Sequence, residues 1–176
     1  MRTLNEKEIA LLEERGCWAD NWSNILVDND FTANSMCNVQ LYGHVEIGSL
    51  NGTIDICEGF TRRCGIYNAT LKDTTICDGC LIENVRGYIA NYNIGAHCYI
   101  SDVGVISSQE GCTFGQGNVI SVLNEGGDGN VVLSDALTSQ LAWLMINFPS
   151  VRDMAKREVD ARGAQSAQIG NNVRIV

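Results

Sequence analysis

The sequence predicts a left-handed parallel β-helix of six-residue repeats, with a helical hairpin inserted before its last repeat. Three observations predict it. Aliphatic residues recur every six positions at Ile76, Ile82, Ile94, Ile100 and Ile106, with Tyr88 in the remaining slot. Positions 18 apart match one another: Cys80 with Cys98, Leu81 with Tyr99, Ile82 with Ile100, Val85 with Val103. The same rhythm resumes at Ile169-Gly170-Asn171-Asn172-Val173-Arg174-Ile175 after a helical stretch. Six is neither a helical period nor a simple hairpin spacing. It fits short β-branched strands whose single inward residue stacks on the layer below, with three such faces to a triangular coil.

The elements follow in order. Residues 1–30 read as an N-terminal helical cap. Its helix runs from Asn5 to about Arg15 with Ile9, Leu11 and Leu12 on the apolar side, and Trp18 and Trp22 add to the cover. Residues 38–124 read as the β-helix. Val39 and Val45 are six apart, as are Leu41 and Ile47, and so are Ile54, Phe60 and Ile66. The register slips between Ile66 and Ile76, which implies an insertion or a bulged turn. Phe114 and Ile120 continue the rhythm, and residues 125–133 are a loop by their glycine-rich composition. Residues 134–163 read as a helical hairpin. Ser134 caps a first helix through about Asn147, with Leu137, Leu141, Leu144 and Met145 on one side. Pro149 and Ser150 break and restart it. The second helix runs from Val151 to about Arg162, with Val151, Met154, Ala155 and Val159 at helical spacing and Gly163 as its stop. Residues 164–176 resume the repeat. The sequence stops inside it at Val176, so the expectation is the N-terminal piece of a longer protein.

Three residues after an inward aliphatic the chain must turn, which favours residues that tolerate positive φ. Gly79, His97 and Asn172 obey this rule. Val85 and Val103 break it together, one full period apart.

Composition excludes several classes. A formal charge of −9 argues against nucleic acid as the main partner, because a phosphate backbone needs a dense basic surface. The longest apolar run, Leu141 to Ile146, is too short to cross a bilayer, and the N-terminus lacks a signal-peptide core, so the expected compartment is cytoplasmic. Of eight cysteines only Cys77 and Cys80 form a C-x-x-C, with no second pair at metal spacing. They read as reduced, structural residues, and no metal site is expected. Gly126-Gly127-Asp128-Gly129 lacks the following Lys-Ser/Thr of a P-loop, and Glu125 beside it is a remote acid or base candidate. Nucleophile-elbow, zincin and dinucleotide fingerprints are absent.

Ile94-Gly95-Ala96-His97-Cys98-Tyr99-Ile100 and Ile169-Gly170-Asn171-Asn172-Val173-Arg174 resemble the hexapeptide repeat of bacterial acyltransferases and of the β-helix attached to sugar nucleotidyltransferases. Arg63-Cys64-Gly65-Ile66-Tyr67-Asn68-Ala69-Thr70-Leu71, Ile82-Glu83-Asn84-Val85 and Val122-Leu123-Asn124-Glu125-Gly126 resemble, more narrowly, an uncharacterised β-helix family of Bacteroides and relatives. The resemblance implies a parent several times longer, of transferase-like fold. It also implies a homo-oligomer, with a trimer favoured, and in an acyltransferase a histidine general base in the cleft between subunits. His97 and His44 are then the catalytic candidates, with Asp102 and Glu46 the nearest carboxylates in sequence. Both histidines also have a structural reading as turn residues.

A second constellation is Arg86, Tyr88, Asn91, Tyr92 and Asn93, with Arg62, Arg63, Tyr67 and Asn68 expected close by, since 68 and 86 are 18 apart. Arginine, aromatic and amide groups together suit a sugar, phosphate or carboxylate. The structural alternative is that asparagines ladder at turns while tyrosine and arginine cover an outer face. Three functions follow. The first is an assembly or ligand-positioning scaffold within a larger transferase-like protein. The second is an acyltransferase using acyl-CoA on a nucleotide-sugar or amino-sugar. The third is a binding module for sugars or phosphates. The sequence leaves open whether the chain is catalytic, and acyl-CoA is a cofactor only on the second reading.

Overall fold

The computed structural model describes residues 1–109, 112–121, 129–162 and 167–176. Glu125, Gly126-Gly127-Asp128, Gly163 and the Val122–Gly126 motif therefore lie outside the described residues. The described chain is mainly β and divides into two compact units, Met1–Ser108 with Ser166–Val176, and Gln109–Gln165.

The first unit begins with β1 (Arg2–Thr3), α1 (Glu6–Glu14), β2 (Trp18–Ala19), β3 (Ile25–Val27) and β4 (Met36–Ile47). It continues with β5 (Thr53–Cys57), β6 (Phe60–Arg63), β7 (Gly65–Ile76), β8 (Leu81–Glu83) and β9 (Ile89–Ala90). Then come β10 (Tyr92–Ile94), β11 (Tyr99–Ser101) and β12 (Ile106–Ser107). The second unit holds β13 (Val119–Ser121), β14 (Asn130–Val132), α2 (Ser139–Asn147) and α3 (Pro149–Arg162). The chain returns to the first unit as β15 (Ala167–Ile169) and β16 (Arg174–Ile175).

Three aliphatic ladders organise the first unit. Met36, Ile66, Ile82, Ile100 and Ile175 pair in succession across β4, β7, β8, β11 and β16. Ala19, Leu41, Leu71, Ile89 and Ile106 do the same across β2, β4, β7, β9 and β12. Val27, Ile47, Ile76, Ile94 and Ile169 form the third, across β3, β4, β7, β10 and β15. Side chains alternate between faces along a strand, so parallel in-register pairing stacks like on like. Most of these residues are fully buried.

Between the ladders the backbone turns through left-handed residues in three columns. Asn38, Asn68, Asn84 and Asp102 have φ of 54, 50, 53 and 55°. Gly43, Asp73 and Asn91 have φ of 65, 46 and 56°. Gly79, His97 and Asn172 have φ of 69, 57 and 59°, as their spacing predicts. Val85 and Val103 break the rule because the turn residue comes one position earlier, at Asn84 and Asp102. The inward slot expected at Tyr88 falls one position later. Ile89 is fully buried, whereas Tyr88 is 44% exposed.

A uniform hexapeptide repeat does not describe these pairings. Matched residues are 30 apart at Asn38 and Asn68 and 16 apart at Asn68 and Asn84. They are 18 apart at Glu83 and Ser101, 17 at Asn91 and Ser108, and 75 at Ala96 and Asn171. Two pairs in this unit, β1 with β3 and β5 with β6, are antiparallel. The twelve-stranded sheet is therefore mixed, with β1 an antiparallel member in an otherwise parallel order. The expected kinship with hexapeptide-repeat proteins is corrected on this ground: a hairpin and turns of unequal length interrupt the period. Ile54 and Phe60, read as repeat positions, belong to that hairpin, and Phe60 is 51% exposed.

At the N-terminus α1 forms as expected. Asn5 Oδ1 accepts from the Glu8 backbone N–H, Glu8 answers to the Asn5 N–H, and Arg2 pairs with Glu8. The 1–30 segment contains more than a helix, since β1, β2 and β3 all join the sheet.

In the second unit β13 and β14 make an antiparallel pair. Val131, Val132 and Met145 are buried there, with Leu137, Leu141, Val151, Ala155 and Val159 against them. Thr138 rather than Ser134 caps α2, its side chain accepting from the Leu141 N–H at 3.2 Å. Pro149 starts α3, where a missing N–H costs nothing. Leu144 and Met154 lie outside this cluster and are exposed, as are Phe114 and Ile120.

Ile82 sits between Ile66 and Ile100 at the centre of the first ladder and is fully buried. Ile82→Ala should cost about 2–5 kcal/mol in urea unfolding, the range for truncating a packed aliphatic.

Candidate functional site

The residues expected to gather into a ligand patch are divided by the structure. Asn68 belongs to a turn column: Asn38 Nδ2 donates to its Oδ1 at 2.9 Å, and its own Nδ2 donates to Asn84 Oδ1 at 3.0 Å. Asn91 donates to the Ser108 carbonyl at 2.9 Å and accepts from Ser108 Oγ through its own carbonyl. Both amides are engaged in holding left-handed backbone. Arg86 and Tyr88 are exposed, and Tyr92 is half-buried against the core.

Arg63 has a different setting. It closes β6 and lines a cavity of about 350 Å³ together with Thr32, Asn34, Asn51, Thr53 and Tyr67. The walls come from the turn at 32–35, the loop at 50–53 and the β6–β7 junction. Ser35 Oγ donates to the Thr32 carbonyl at 2.7 Å, and Asn51 Nδ2 donates to the Asp30 carbonyl at 2.7 Å. Arg15 steadies the first wall, donating from Nε to the Met36 carbonyl and from Nη2 to the Asn34 carbonyl. Gly65 leaves room for two of the lining residues: a Cβ there would lie 2.4 Å from Tyr67 Oη and 2.6 Å from the Ser35 carbonyl. None of the side chains lining this cavity is a carboxylate, in a chain with 21 acidic residues.

Next to Tyr67 across the β7–β8 pair lies Glu83, a carboxylate that sequence reasoning did not single out. It is 6% exposed, and its Oε1 accepts from Arg62 Nη1 at 2.5 Å and Tyr99 Oη at 3.2 Å. Ser101 Oγ approaches it at 3.5 Å. The hydrogen bond to Glu83 raises the pKa of Arg62 above its ordinary value. Arg62 thus pins the β5–β6 hairpin to the sheet, and Arg174 adds a hydrogen bond to the Ile56 carbonyl. No local motif announces Glu83, because its partners come from 21, 16 and 18 residues away.

The two histidines differ. His44 Nε2 lies 3.1 Å from Glu46 Oε1, so it has an orienting carboxylate, but its side chain is 57% exposed. Gly43, not His44, takes the left-handed turn position. His97 does take one, and its ring covers Gly79, where a Cβ would lie 2.4 Å from Nδ1. Neither histidine borders the cavity. Asp102, the carboxylate nearest His97 in sequence, instead accepts from Ser101 Oγ at 2.8 Å.

The cysteines are unbridged. Cys64, Cys80 and Cys98 donate from Sγ to the carbonyls of Gly79, Gly95 and Gly170 at 3.3, 3.1 and 3.0 Å. Burial pushes the Cys80 thiol up to about 12, so it carries little thiolate at neutral pH. Among the described residues no group of three or more His, Cys, Asp and Glu could hold a metal ion. No helix among them is long and apolar enough to cross a membrane.

A family match covers residues 1–176, and the chain belongs to that family, described as Domain of unknown function (DUF4954). A protein of Treponema pallidum (strain Nichols), described as "Uncharacterized protein", is 31% identical over 116 residues. That alignment covers 66% of this chain and 16% of the relative, so the chain corresponds to a small part of a much longer protein. No solved structure matches. The resemblance to a Bacteroides-type hexapeptide-repeat family, and through it to acyltransferases and nucleotidyltransferase domains, is corrected by this membership and by the mixed sheet.

Two outcomes follow from the polar contacts. Arg62→Ala should leave the Glu83 carboxylate buried without its cation and release the hairpin. Amide exchange of residues 53–63 should then quicken by about tenfold or more while the ladder amides stay protected. Asp73 has its pKa lowered by the Lys72 ammonium and by the His44 backbone N–H. A depressed carboxylate stabilises the fold above its unfolded pKa of about 4, and the contribution fades as pH falls through the folded value. Asp73→Asn should therefore flatten the acid limb of the stability–pH curve below about pH 4 and leave its slope near neutrality unchanged.

Proposed function

We propose that this chain is a ladder-built β scaffold that positions a small anionic or sugar-like ligand beside Arg63, as one domain of a longer protein. The cavity carries this reading. It joins one guanidinium, an aromatic ring and several amide and hydroxyl groups without any carboxylate, although the chain as a whole is acidic. Such a lining suits a phosphate or carboxylate on a polar ring. The length of the Treponema relative supports a domain within a larger protein.

The finer architecture we infer is a left-handed parallel β-helix. The three ladders would be its faces and the three left-handed turn columns its corners, interrupted by the β5–β6 hairpin and by residues 109–165. Homo-oligomers, a trimer foremost, are the assembly we carry forward, and solution mass reads it directly. A cytoplasmic location suits unbridged cysteines.

Acyl transfer with acyl-CoA is less well supported. It would call for a base beside a substrate cleft, and His44 and His97 both lie away from the cavity.

A thermal-shift series with glucose 6-phosphate, UDP-glucose, galacturonate and acetyl-CoA tests the reading. A bound sugar anion at a hundred times its Kd should stabilise the protein by about 2.7 kcal/mol. Arg63→Ala should weaken it about tenfold or more. No shift with any anionic sugar overturns the cavity reading, and a shift with acetyl-CoA alone transfers support to the acyltransferase.

A further inference from the structure

Away from the cavity, β2, β4 and β7 present a second surface of distinct chemistry. Trp18 pairs with Gln40, and Gln40 with Thr70, so these three side chains point outward in one row opposite the buried Ala19, Leu41 and Leu71. Tyr42 and Lys72 form the next outward row. The Trp18 indole is 49% exposed and lies 5.3 Å from the Tyr42 ring, tilted by 59°. Tyr42 Oη donates to Gln40 Oε1 at 3.3 Å, which leaves the Gln40 amide hydrogens for another acceptor.

The basic groups around this aromatic pair already have acidic partners. Lys72 is paired with Asp73 at 2.8 Å, His44 lies against Glu46, and Asp20 accepts the Gly43 N–H at 3.0 Å. What remains is an apolar indole face flanked by neutral amide and hydroxyl groups. An anion finds no unpaired cation here. A polynucleotide, which would also stack on an indole, is opposed by the formal charge of −9. A neutral pyranose ring fits both halves: its C–H face covers the indole while its hydroxyls meet amide and hydroxyl groups.

We propose that Trp18, Tyr42, Gln40 and Thr70 form a binding surface for a neutral oligosaccharide, separate from the cavity at Arg63. The sheet supplies the flatness, because the three parallel strands fix Trp18, Gln40 and Thr70 at successive strand spacings.

Calorimetric titration of the full chain with cellohexaose, xylohexaose, mannohexaose and chitohexaose tests this. At least one should bind. Trp18→Ala should weaken that binding by about tenfold or more, as loss of a stacking face does. Trp18→Tyr, which keeps a ring, should retain most of it, and Trp143→Ala, on α2, should leave it unchanged. Should Trp18→Ala fail to fold, the exposed Gln40→Ala carries the test and should weaken binding by severalfold. The proposal is overturned if none of the four hexasaccharides binds, or if folded Trp18→Ala binds as the wild type does. It is equally overturned if a uridine oligonucleotide binds in their place.

Discussion

Left-handed backbone in the three turn columns is the constraint on which the first unit depends. A non-glycine residue at positive φ is unfavourable, yet Asn38, Asn68, Asn84, Asp73, Asn91, His97, Asp102 and Asn172 all adopt it. The strain is offset sideways. Asn38, Asn68 and Asn84 hydrogen-bond in a chain from one turn to the next, and His97 packs on Gly79. Each turn is therefore secured by its neighbours in the column, and the ladders between them stay in register. Where the column requires closest approach only glycine serves, as at Gly43, whose missing Cβ makes room for the Asp73 carboxylate.

Candidate chemistry has to be judged against that requirement. Polar residues at turns help to hold the backbone: the Asn68 and Asn91 amides bond within their columns, and the His97 ring covers Gly79. Groups at the hairpin junction and on the outward strand face have no such duty. Arg63 faces a cavity, Arg62 clamps a buried carboxylate, and Trp18 keeps half its surface in water. The division follows from backbone geometry rather than residue type.

The ladders were legible in the sequence because each inward position must be aliphatic and each recurs at a nearly fixed interval. Ile82 with Ile100 and Ile76 with Ile94 pair at the expected 18-residue register. Gly79, His97 and Asn172 were legible for a similar reason, since positive φ narrows the choice of residue. The slip at Tyr88 was not, because a step lengthened by one residue from Ile82 to Ile89 and shortened by one from Ile89 to Ile94 leaves no compositional trace. Nor was the β5–β6 hairpin, whose Ile54 and Phe60 fall by accident of spacing on the six-residue rhythm that leads to the true ladder residue Ile66. Arg63 became a candidate through residue type and the 18-residue spacing of positions 68 and 86, not through the cavity it lines. Glu83, Arg15 and the Trp18–Tyr42 contact were missed, since each is defined by partners distant in sequence and none belongs to a local motif.

The 75-residue step between Ala96 and Asn171 bears on how the molecule is made. β10 and β11 receive their outer neighbours, β15 and β16, only after the whole of residues 109–165 has been synthesised. At ribosomal speeds of about 5–20 residues per second, that interval lasts roughly 4–15 seconds. Throughout it the amides and carbonyls along one side of β10 and β11 have no partner, a condition that invites pairing with a second nascent chain. The second unit, with its own buried cluster around Met145, can fold during that wait. The order of synthesis thus makes the inserted unit a timer for the last strands of the sheet.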